Sequence, residues 1–97
     1  MKSNLDVVNK RRVPRPFTMP WGKGMVTEEV CVDLRYYTPT IQLLEYEGGE
    51  KALRFCVYHG QAFSRVPLIL DEENMNLLSK EVAGNAKIRK MLKKLVE

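Results

Sequence analysis

The chain predicts an α+β fold: a four-stranded antiparallel sheet followed by a C-terminal helix that Gly84-Asn85 interrupts. Three observations carry this. Apolar and polar residues alternate with period two along Val26–Tyr37, Ile41–Glu47 and Lys51–His59, as in half-buried strands. Glycine and proline fall between those stretches, where turns are needed. Beyond Asp71 the apolar spacing becomes helical.

In chain order, Met1–Gly24 reads as an extended basic arm ahead of a single domain spanning 25–97. It holds the run Lys10-Arg11-Arg12, and Pro14, Pro16 and Pro20 favour extended backbone. Asn4–Lys10 carries a weak helical pattern, and Phe17 and Trp21 are the rings that could pin the arm to the sheet. In the first strand Val26, Val30, Val32, Leu34 and Tyr36 share one parity, and Thr38-Pro39 ends it. The next two strands form a hairpin about Gly48-Gly49. A two-residue loop there would set Leu44 opposite Leu53 and Gln42 opposite Phe55. Leu44, Leu53, Phe55 and Val57 then make the core face. Ile41, Leu43, Arg54, Cys56 and Tyr58 make a half-apolar second face. Ala62–Leu70 reads as the last strand, with Pro67 marking an edge or bulge. Asp71 is placed to cap a helix containing Met75, Leu77, Leu78 and Val82. Asn85 is placed to cap its continuation, where Ile88, Met91, Leu92 and Leu95 form an apolar stripe.

The 97 residues, 44% of them hydrophobic, suit one folded core. The formal charge of +4 is uneven. Six Lys or Arg against one Asp precede Met25, and five basic residues with no acid lie within Ala86–Lys94. Charge held at the two ends points toward anionic partners. Cys31 and Cys56 belong to no CxxC pair, which fits two buried thiols in a reducing, cytoplasmic setting. The N-terminus has no apolar h-region, and no apolar run approaches bilayer length, so no membrane association is expected.

Nothing in the chain resembles a catalytic or metal signature, and no cofactor is expected. His59 is the only histidine, three positions from Cys56 in extended chain, too far and on the wrong side for an ion pair. One His and two separated Cys fall short of a structural zinc set. The carboxylates at Glu28-Glu29, at Glu45, Glu47 and Glu50, and at Asp71-Glu72-Glu73 read as solvated strand, turn and helix-start residues. What remains is cations interleaved with rings on separate strands: Arg35 with Tyr37, Arg54 with Tyr58, and Arg65 with Phe63. Single-stranded nucleic acid is held in this manner, with guanidinium groups along the phosphates and unstacked bases on flat side chains.

Across Thr40–Val96 the pattern resembles the positive cofactor 4 family of transcriptional coactivators. The likeness lies in Ile41–Tyr46, Ala52–Tyr58, the triplet Leu68-Ile69-Leu70, the acidic start Asp71-Glu72-Glu73, and Met75, Leu77 and Leu78. The resemblance implies a curved four-stranded sheet, homodimerisation involving the C-terminal helices, and single-stranded DNA lying on basic and aromatic residues, here Lys51, Arg54, Tyr58 and Arg65. The sequence departs from the family at Met75, where an aromatic is usual, and at Arg65-Val66, where a basic residue and glycine are usual. The region with Pro14, Pro16, Pro20 and Trp21 has no family counterpart. The expected function is thus non-catalytic binding of single-stranded DNA or RNA by Arg35, Lys51, Arg54, Tyr58, Phe63 and Arg65. The alternative is a homodimeric protein-interaction module with no nucleic-acid partner.

Overall fold

A computed structural model describes residues 11–97. Five strands, β1 (Arg15–Met19), β2 (Gly22–Cys31), β3 (Thr38–Tyr46), β4 (Lys51–His59) and β5 (Ala62–Ser64), pair in sequence order as a curled antiparallel meander. Helices α1 (Glu72–Ala83) and α2 (Ala86–Val96) follow. The broad α+β antiparallel expectation holds, with one strand more and the helix divided in two. The weak helical pattern at Asn4–Lys10 lies outside the described residues.

The extra strand comes from the segment read as an arm. Arg15–Met19 pairs with Gly22–Val26 through a turn at Pro20-Trp21, and Phe17 is buried. Pro16 is tolerated because β1 is the sheet's edge. Phe17 lies across from Gly24, where a Cβ would run into the Glu45 carbonyl and approach the Tyr46 Cα to 2.7 Å. Only glycine lets β2 pass this close to β3.

The β3–β4 hairpin corrects the expected register by one residue. The Gly49 N–H donates to the Tyr46 carbonyl at 2.9 Å, and the Tyr46 N–H donates to the Glu50 carbonyl at 2.9 Å. With Gly49 at φ +100° this is a three-residue loop, Glu47-Gly48-Gly49, ending in a left-handed glycine. Leu43 therefore faces Leu53, Gln42 faces Arg54, and Ile41 faces Phe55. A one-residue slip moves every β3 side chain to the opposite face. Ile41 and Leu43 thus join the core with Leu53, and Leu44 turns to the other side.

A bulge corrects β2 in the same way. Val26 faces Leu44 while Glu28 faces Leu43, which leaves Thr27 as the extra residue. Val26 and Val30, expected on one face, lie on opposite ones: Val26 with Phe17 and Leu44, Val30 with Ile41 and Leu43. The strand also stops at Cys31, short of Tyr37. The Leu34 N–H donates to the Tyr37 carbonyl at 3.0 Å, and Arg35-Tyr36 form the tip of the β2–β3 loop. β5 is three residues long and pairs only with Val57–His59, so Arg65–Leu70 is irregular rather than strand.

The helices cover one face. Leu78 of α1 and Ile88 of α2 are buried against Val30, Ile41 and Leu43, with Val82, Met91 and Leu92 packed around them. Both caps form as the sequence predicts. The Asp71 carboxylate accepts from the Asn74 N–H and the Asn85 side chain from the Ile88 N–H, each at 3.0 Å. Most of the α2 stripe is thereby used within the chain, and Leu95 is left exposed.

Candidate nucleic-acid interface

The sheet face away from the helices has no covering layer among the described elements, yet it is not simply polar. Phe17, Val26 and Leu44 form a small buried cluster there, flanked by Met19 and Tyr46. Beside it, Gln42 is 0% exposed on the middle strand. A buried amide must find partners for both its donor and its acceptor. The Arg54 Nε donates to Gln42 Oε1 at 2.7 Å. Gln42 Nε2 donates to Glu29 Oε2 at 2.8 Å and to the Tyr58 hydroxyl at 3.0 Å.

Glu29 is the anion of this network. Arg15 grips it with both terminal nitrogens, at 3.1 and 2.9 Å, and Arg11 lies 3.5 Å away. Burial pushes the Glu29 carboxyl up. The hydrogen bonds from Arg15 and Gln42 and the charges of Arg11 and Arg15 outweigh that and hold it below its ordinary value. The Arg11 guanidinium stacks on Tyr58, 3.6 Å from the ring centroid, and Arg15 also reaches the Tyr58 hydroxyl at 3.3 Å. Two arginines thus flank one carboxylate, and with Arg54 on Gln42 the cluster keeps a positive surplus.

Arg54 carries that surplus to the surface. Its guanidinium lies 4.9 Å from the Phe63 centroid and 5.9 Å from that of Phe17. Phe63 stands edge-on to Tyr58, their centroids 5.5 Å apart. A groove of about 850 Å³ runs over these groups. Its walls include Arg15, Arg54 and Arg65 and the aromatic residues Phe17, Trp21, Tyr46, Tyr58 and Phe63, with no Asp or Glu among them.

Of the six residues singled out from the sequence, the fold gathers four at this groove: Arg54, Tyr58, Phe63 and Arg65. Tyr58 is mostly buried and serves as the floor, whereas Phe63 is 49% exposed. Arg35 does not join them, because it sits at the β2–β3 loop tip beside Tyr36. Lys51 does not either. It faces Glu45 at the far end of β4, on the parity of Leu53 and the helix side. Sequence reasoning missed Arg11, Arg15, Phe17, Trp21, Glu29 and Gln42. The signal was present for β1: Arg15, Phe17 and Met19 alternate before a Pro-Trp-Gly turn.

The two cysteines share the open face, on β2 and β4 with Thr40 of β3 between them, so they are two strands apart and both free. Burial pushes each thiol up to about 11. Among the described residues there is no group of three or more His, Cys, Asp or Glu that could hold a metal. No helix there is long and apolar enough to cross a membrane. Comparison with known proteins finds no matching family model, no matching curated protein and no matching solved structure.

Proposed function

We propose that the open face of the sheet binds single-stranded nucleic acid without catalysis and with little sequence preference. One observation carries this reading: a groove walled by three arginines and five aromatic residues of the open face, with no carboxylate on its lining. Phosphates are attracted to such a surface, and any base can lie on a ring because every base has a flat face. The buried Gln42 and Glu29 hold Arg54 and Arg15 in fixed orientations, so less side-chain freedom is lost when a strand arrives. The resemblance to the positive cofactor 4 family implies the same class of ligand, on a sheet that here has an additional edge strand.

The test is fluorescence anisotropy of a labelled oligothymidylate at low salt. Binding in the micromolar range or tighter is expected, with log K falling against log salt at a slope of about −2 if three arginines each meet a phosphate. Arg54→Gln should weaken binding about 10-fold, consistent with one lost charged contact. Absence of any anisotropy change at low salt would end this reading.

A further inference from the structure

Trp21 is the only tryptophan in the chain, and it is 74% exposed at the β1–β2 turn. Its exposure is unusual, since a solvated indole leaves a large apolar surface in water. It is nonetheless held in place. Its ring N–H donates to the Tyr46 hydroxyl at 3.4 Å, and Tyr46 is itself fixed edge-on by Phe17, with centroids 5.2 Å apart. Pro20 restricts the turn that carries it.

Its position gives that rigidity a use. Trp21 lies on the wall of the arginine-lined groove, at the opposite corner of the sheet from Phe63 on β5. Beyond the indole a second depression is lined by Lys23 and Tyr46, but also by Glu47 and Glu50. Phosphates are therefore favoured up to Trp21 and opposed past it. From the resting reading of the groove as a single-strand site, we infer that Trp21 is the terminal stacking plate, on which the last base of the bound strand lies. Phe63 is its counterpart at the other corner. The contacts that link the two, from Phe63 through Arg54, Phe17 and Tyr46 to the indole, put them at most roughly 25 Å apart across the curled sheet. An extended strand of about four nucleotides fills that length, the low end of single-strand site sizes.

The single indole makes this directly measurable. Titration with octathymidylate, followed at once by intrinsic emission and by anisotropy of a labelled strand, should show quenching that parallels binding. Trp21→Ala should weaken octamer binding about 10-fold, as expected for one lost base stack, while Trp21→Phe retains most of the affinity. The turn is exposed, so circular dichroism should report an unchanged fold in both variants. Octamer binding with unaltered emission, or with Trp21→Ala at wild-type affinity, overturns the inference and leaves the groove reading standing. No binding of any oligonucleotide by the wild-type chain removes both.

Discussion

The two faces of this sheet use burial for different ends. On the helix side, Val30, Ile41, Leu43, Leu78 and Ile88 meet as an apolar layer with no polar side chain in the cluster. Such a layer is stabilised by area removed from water and contains no group that titrates. On the open side, burial surrounds Gln42 and Glu29, groups that are costly to bury unless every partner is in place. The first face holds the chain together. The second spends stability on orienting Arg15 and Arg54 toward the groove.

Substitutions can break or sharpen this contrast, and the largest effect should come from the helix side. Ile88 is 0% exposed, and Ile88→Ala should lower the unfolding free energy by about 3 kcal/mol in urea denaturation. Oligonucleotide binding by the folded fraction should be unchanged. A loss well under 1 kcal/mol would mean that the helices contribute little to the core.

On the open side, Glu29→Gln removes the charge that Arg15 and Arg11 surround and should cost about 2 kcal/mol. Its signature is pH dependence. The folded-state value of Glu29 lies below its ordinary 4.5. The stability it supplies is therefore complete above that pH and lost as the pH falls through the lowered value. Acid titration of the wild-type chain should show this loss, and Glu29→Gln should flatten it. Equal acid sensitivity in both proteins would remove Glu29 from the account. The smallest effect should be at the thiols. With both raised to about 11, Cys31 and Cys56 should react with a disulfide reagent at pH 8 only slowly in the native state and rapidly once unfolded. Prompt modification of the native protein would show that the open face is looser than its network suggests.

The elements that were legible in the sequence are those fixed by local chemistry. Asp71 and Asn85 cap helices because their side chains reach an N–H three residues on, a contact that depends on nothing distant. The two faces were less legible because parity is cumulative along a strand. One extra residue at Thr27 was enough to put Val26 on the face of Glu29, and one at the hairpin loop to exchange Leu44 for Leu43 opposite Leu53. Arg54, Tyr58 and Phe63 were placed together because β4 and β5 carry no such irregularity. The apolar run Val66–Leu70 read as strand, but Pro67 within it fits the irregular path taken. Arg15 and Phe17 were hidden among prolines, which are compatible with an edge strand as well as with an arm.

The outer margins of the meander differ too. β1 is bordered by Pro14 and interrupted by Pro16, whereas β4 from Lys51 to Cys56 has no strand on its far side among the described residues, since β5 begins to pair only at Val57. A cross-β stack grows only when each added molecule offers two receptive borders, one to dock and one to be docked upon. With proline obstructing one of them, growth of this sheet by neighbour-to-neighbour addition should halt after a single step, so the prolines of β1 work against fibre formation.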